Sequence, residues 1–110
     1  GVVGYCWGGT VAFLANARLA LPAVSYYGGQ TVPFLASERP QAPLMLHFGR
    51  HDAHIPVADI DTHRAALPGA QIHLYDAGHG FNCDQRPDFN PAAARLALAR
   101  SLDFFRSHLT

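Results

Sequence analysis

The six residues Gly4-Tyr5-Cys6-Trp7-Gly8-Gly9 constrain this chain more than any other stretch. They have the form of a nucleophile elbow, a sharp turn from strand into helix. The central residue of such a turn is held in a strained backbone conformation, and glycines around it avoid collision. Cysteine stands in the nucleophile's place, with Gly4 and Gly8 in the two flanking positions. Gly1-Val2-Val3 reads as the strand before the turn, and Thr10-Val11-Ala12-Phe13-Leu14-Ala15-Asn16-Ala17 as a buried helix rich in small residues. Strand, turn and helix in that order are the context the motif requires.

Downstream, strand and helix signals alternate. Ala23-Val24-Ser25-Tyr26-Tyr27 is β-prone and closed by Gly28-Gly29, whereas the segment from Gln30 to Ala42, with Pro33 and Pro40, reads as a loop with room for one helical turn. Pro43-Leu44-Met45-Leu46-His47-Phe48-Gly49 is almost continuously apolar, as expected of a strand covered on both faces. A helix over Val57 to Leu67 enters through Ile55-Pro56 and stops at Pro68-Gly69, and Gln71-Ile72-His73-Leu74-Tyr75 is the next strand. Asn90 is placed to cap a last helix with Pro91 in its first turn. Leu96, Ala99, Leu102, Phe105 and Leu109 mark its apolar face, opposed by Arg95, Arg100 and Arg106. The order predicts an α/β fold, a mostly parallel sheet flanked by helices and joined by right-handed crossovers.

Composition narrows the function. With 110 residues the chain is one domain at most, and eight Lys plus Arg, all of them Arg, balance eight Asp plus Glu. No Lys-rich patch offers itself to nucleic acid or anionic lipid, and no apolar run approaches the roughly 20 residues of a membrane helix. Two cysteines make no disulfide framework, so a reducing cytoplasmic setting is the default. Gly1 lies only a few residues before Cys6, with no initiator Met and no signal peptide. The expectation is a partial domain over residues 1–110 whose N-terminal half is absent.

In parallel sheets functional groups gather beyond the carboxyl ends of the strands. Cys6 follows the first strand, Asp52 lies in Gly49-Arg50-His51-Asp52-Ala53-His54-Ile55-Pro56 after the third, and His79 in Ala77-Gly78-His79-Gly80-Phe81 after the last. A thiol needs a base, an imidazole can supply it, and a carboxylate on the other ring nitrogen fixes the tautomer. A helix N-terminus and a neighbouring imidazole would favour the thiolate of Cys6. Nucleophile, acid, histidine is the chain order of α/β-hydrolases. Each residue also has a plainer reading: Cys6 as buried core, Asp52 as a helix cap with Asp76 or Asp84 serving the histidine, His79 as a loop residue bonded to backbone. His51, Asp52 and His54 offer metal-ligand types, but near-adjacent loop positions lack the usual ligand spacing, so no metal is expected. Cys83 reads as a bystander within reach of Cys6. The Tyr26-Tyr27 and Phe104-Phe105 pairs read as core, and Trp7 as a ring able to line an acyl pocket.

The chain resembles the C-terminal half of a dienelactone hydrolase family protein. The resemblance rests on Gly4-Tyr5-Cys6-Trp7-Gly8-Gly9, Gly49-Arg50-His51-Asp52 with Pro56, Tyr75-Asp76-Ala77-Gly78-His79-Gly80-Phe81, and the helix ending Phe104-Phe105. It implies an α/β-hydrolase half-fold in which Cys6 is nucleophile, Asp52 acid and His79 base. The reaction implied is hydrolysis of a small ester or lactone through a thioester acyl-enzyme, with no metal or organic cofactor. The Trp7 backbone N–H, opening the helix, would be one oxyanion donor; the other comes from an earlier loop of such proteins. Where the archetypal enzymes place an arginine four residues after the histidine, this chain has Cys83, and Arg50 and Arg86 remain as substrate anion contacts by position. The rival expectation is a non-catalytic module. A half-sheet has an unpaired first edge, which recruits a second copy or the missing half.

Overall fold

The computed structural model describes residues 1–109. In chain order they form β1 (Val2–Tyr5), α1 (Trp7–Leu19), β2 (Ala23–Tyr26), a 3-10 turn (Val32–Phe34), β3 (Leu44–Gly49), α2 (Val57–Ala66), β4 (Gln71–Tyr75) and α3 (Pro91–His108). The fold is α/β: four parallel strands in the spatial order β1-β2-β3-β4, flanked by helices. Among the described residues no helix is long and apolar enough to cross a membrane.

The continuous apolar runs become the two central strands, buried along their whole length, and the mixed ones become the edges. On β1, Val3 and Tyr5 are 44% and 46% exposed. Two boundaries differ from expectation. β1 runs on to Tyr5, because its pairing with β2 continues through Tyr5 opposite Tyr26. α1 begins at Trp7, three residues before the apolar run that announces it, so Gly8 and Gly9 are helical.

Side chains alternate between the faces of a strand, so Ser25 and Phe48 share one face while Tyr26 and His47 share the other. α1 lies on the first, where a Cβ added to Gly9 would meet Ser25 Oγ, and α2 joins it there, His63 packing on Phe48 with ring centroids 4.8 Å apart. α3 covers the second.

The start of α3 is as expected: Pro91 sits in the first turn and the Asn90 side chain accepts a hydrogen bond from the Ala93 N–H at 3.1 Å. The buried stripe is not. Leu96, Leu102 and Leu109 are 47%, 44% and 44% exposed, and Ala93, Ala97, Ser101 and Phe104 face the sheet instead. Small side chains let the helix axis approach the strands, and Ser101 is pulled inward by hydrogen bonds that hydrophobic periodicity does not register. Nor does Arg100 oppose the buried face, for it donates to the Tyr75 hydroxyl at 3.1 Å.

Those bonds form one directed chain. Ser101 Oγ donates to the Ala97 carbonyl at 2.7 Å, so it can only accept from Tyr26 OH (3.1 Å) and from His47 Nε2–H (2.9 Å). His47 Nδ1 then accepts from Tyr75 OH at 2.9 Å. This fixes a neutral His47, which is fully buried, and burial is the main reason its pKa falls from 6.5 to about 3, with His73 and Arg100 adding repulsion.

Candidate active site

Cys6 sits between β1 and α1 with φ 56° and ψ −124°, a backbone conformation that costs a residue with a side chain on the order of 1–3 kcal/mol. Two bonds hold it: the Cys6 N–H donates to Tyr26 O at 3.0 Å and the Gly9 N–H to Cys6 O at 2.9 Å. A Cβ at Gly4 would collide with the Gly8 carbonyl oxygen. A Cβ at Gly8 would meet nothing within 4 Å, whereas one at Gly9 would lie 2.7 Å from both Ser25 Oγ and Tyr26 O. The steric demand thus falls on Gly4 and Gly9, not on Gly4 and Gly8. Trp7, 69% exposed, opens α1, and its N–H is among those a first helical turn leaves without an intrahelical partner.

The loops after β3 and β4 are laced together. Arg50 and His51 donate backbone N–H bonds to Tyr75 O (2.8 Å) and Ala77 O (3.0 Å), an approach that a side chain at Gly49 would block. Asp52 is thereby brought under His79. Its Oδ2 accepts from His79 Nδ1 at 2.6 Å, and its Oδ1 from the His54 N–H at 2.7 Å. The Asp52 side chain has no exposed surface. With its Nδ1 proton committed to the carboxylate, the imidazole keeps Nε2 as an acceptor. Asp76 pairs with His51 rather than His79, and Asp84 lines the larger cavity at Cys6. His51 thus turns away to Asp76 while Asp52 and His54 both lie against His79, and among the described residues no group of three or more His, Cys, Asp or Glu is set to hold a metal ion.

Two cavities meet at Cys6. The larger, about 520 Å³, is walled by Tyr5, Tyr27, Cys83, Arg86 and Phe89 among others. The smaller, about 270 Å³, includes Trp7, Gln30, His54, His79 and Arg86. Arg86 borders both and its Nη1 lies 3.9 Å from Cys6 Sγ; Arg50 is exposed and lines neither. The expected bias toward thiolate is not what this environment produces. Burial pushes the Cys6 thiol above its ordinary pKa, the Arg86 guanidinium pulls it back in part, and Asp52 and Cys83 push it up again. The sulfur's hydrogen-bond partner here is Arg86 rather than His79.

Tyr27 and His54 join the site without having been singled out for it. The Tyr27 ring lies 5.1 Å and the His54 ring 4.8 Å from that of His79, centroid to centroid. Tyr27 could have been found by the rule that found the others, since it immediately follows the carboxyl end of β2. His54 reaches the imidazole only because the loop folds back through its bond to Asp52.

Residues 1–109 match the Dienelactone hydrolase family. A protein of Pseudomonas sp. named "Carboxymethylenebutenolidase" is 37% identical over 96% of this chain and 46% of its own length. The "Putative carboxymethylenebutenolidase" of Yersinia pestis is 35% identical over 97% of this chain and 46% of its own. A crystal structure of a "Putative Dienelactone Hydrolase" from Klebsiella pneumoniae superposes with a TM-score of 0.86 at 30% identity, covering 96% of this chain and 51% of that one. The chain thus spans about half the length of these relatives. The family match across residues 1–109, with relatives of 35% and 37% identity over nearly all of the chain, shows that the chain belongs to the dienelactone hydrolase family.

Proposed function

We propose that the protein of which this chain forms part hydrolyses a small carboxylic ester or lactone through Cys6, His79 and Asp52. The observation that carries the proposal is the 2.6 Å bond from His79 Nδ1 to the buried Asp52, which leaves Nε2 basic on the wall of a cavity shared with Cys6. In this reading the thiol passes its proton to His79 Nε2 as sulfur attacks the carbonyl carbon. Asp52 stabilises the imidazolium, and the Trp7 N–H donates a hydrogen bond to the developing oxyanion. The alcohol departs with the proton from His79, leaving a thioester on Cys6. Water, deprotonated by His79, attacks that thioester and restores the thiol. A thiol kept protonated at rest suits a step in which proton transfer and attack go together. Neither metal nor organic cofactor is required.

The test is turnover of p-nitrophenyl acetate by a family-length protein carrying these residues, by the same protein with Cys6→Ala, and by the 110-residue chain alone. The proposal expects a fast parent, a dead substitution and a chain slower by about 10²–10³, the usual cost of one lost oxyanion donor. Full activity after Cys6→Ala would end it. The second reading, a module that pairs through its sheet, is favoured by one observation: β1 is an edge strand with Val3 and Tyr5 open to solvent. Gel filtration of the chain alone would show it as self-association abolished by a charge at Val3.

A further inference from the structure

Cys83 is the second thiol on the wall of the larger cavity, and the reaction proposed above does not use it. It heads a tight turn: its N–H donates to Gly80 O at 2.9 Å and its carbonyl accepts from the Arg86 N–H at 3.1 Å. The same turn delivers Arg86 to within 3.9 Å of Cys6 Sγ, so Cys83 is carried to the nucleophile by a segment already in contact with it. Both cysteines are free, Cys83 exposed and Cys6 half-buried.

We propose that Cys83 is a redox partner of Cys6, oxidised first and then resolved by it, so that hydrogen peroxide converts the pair into an intrachain disulfide that closes the site reversibly. Being exposed, Cys83 meets the oxidant first. Its thiolate sulfur attacks one peroxide oxygen, the O–O bond breaks, and hydroxide leaves to be protonated to water, giving a sulfenic acid on Cys83. The Cys6 thiol then loses its proton to His79 or to solvent, and its sulfur attacks the Cys83 sulfur. The S–S bond forms as the S–O bond breaks, and hydroxide takes a proton to leave as a second water. Two thiols have given up two electrons, one to each peroxide oxygen. A disulfide needs the two Cα atoms within about 7 Å, and the two thiols line the same cavity. Trapped in the disulfide, Cys6 is protected from the irreversible sulfinic and sulfonic acids.

The role of Cys6 as nucleophile belongs to the proposal above, but the disulfide is read without any turnover. The protein is treated with a stoichiometric amount of hydrogen peroxide, alkylated with iodoacetamide, digested without reductant and mapped by mass. The expected result is a peptide pair joined through Cys6 and Cys83, formed at a rate independent of protein concentration. Iodoacetamide labelling of Cys6 should be lost on oxidation and recovered with dithiothreitol. In Cys83→Ser, exposed enough to leave the fold undisturbed, the linked pair is absent and Cys6 stays open to iodoacetamide after the same treatment. Cysteines oxidised separately to sulfinic or sulfonic acid in the wild type, or joined only between chains, would overturn the inference. If Cys6→Ala leaves ester turnover intact, the hydrolase reading fails while the linked peptide still decides this one.

Discussion

The imidazoles of His79 and His47 are both paired, and they differ in how many of their nitrogens are committed. His79 spends Nδ1 on Asp52 and turns Nε2 to a cavity it shares with Cys6. His47, on β3 within the sheet, spends Nδ1 on Tyr75 and Nε2 on Ser101 and reaches no solvent. A ring with both nitrogens satisfied has no proton left to move and can serve only the fold; a ring with one held and one open is equipped for acid–base chemistry. Nitrogen accounting thus sorts two histidines that lie on neighbouring strand systems and look alike in the sequence.

Exchanging the same substitution between the two positions puts most strain on this contrast. His79→Gln should reduce ester turnover by the family-length protein by about 10⁴-fold or more, the scale on which such triads fail, and leave the unfolding midpoint nearly unchanged. His47→Gln should show the reverse pattern. Equal losses of turnover in both variants would erase the distinction.

Acid titration sharpens it. An unfolded chain protonates His47 below pH 6.5, while the folded protein resists until about 3, so the unfolded state binds more protons across that window. The stability contributed by the neutral ring is complete above 6.5 and is lost as pH falls toward 3, with an upper limit of about 5 kcal/mol. Burial shifts His63 and His73 in the same direction and steepens the slope. Urea unfolding followed across this range should flatten by close to one proton in His47→Gln; an unchanged slope would mean that His47 is not the group responsible.

Third in size is the hydrogen-bond cost. His47→Leu leaves Tyr75 OH and Ser101 Oγ short of a partner in a dry layer and should cost about 2–3 kcal/mol by urea unfolding at neutral pH. The smallest effects belong to the glycines beside the nucleophile. Gly9→Ala meets backbone and Ser25 and should cost about 1–3 kcal/mol, while Gly8→Ala, in open space within a helix, should be neutral or stabilising by up to about 1 kcal/mol.

What the sequence conveyed and what it withheld follow from the kind of signal each residue leaves. Strand ends are punctuated by glycine and proline, so Cys6, Asp52 and His79 stood out as residues beyond carboxyl ends, and in the structure the loops that carry Asp52 and His79 are hydrogen-bonded to each other. Burial through hydrogen bonds leaves no such mark. Arg100 reads as opposing the apolar face and Ser101 carries no signal at all, although Arg100 feeds the buried network and Ser101 lies inside it. His47 was absorbed into an apolar run. The leucines of α3 drew attention by size, while the alanines that let the helix approach the sheet have almost no hydrophobic signature. Gly8 and Gly9 could not be told apart, because only the position of β2 decides which of them is crowded.

The positive φ at Cys6 acts as a filter on chemistry. An unbranched Cβ is tolerated there at a modest cost, but a second heavy atom on Cβ is a genuine steric outlier at that angle. Serine can therefore replace cysteine at this corner and threonine cannot, whatever the histidine and aspartate do. The range of nucleophiles open to this scaffold is set by the backbone before any question of reactivity arises, and substitution at this position can exchange sulfur for oxygen only through an unbranched side chain.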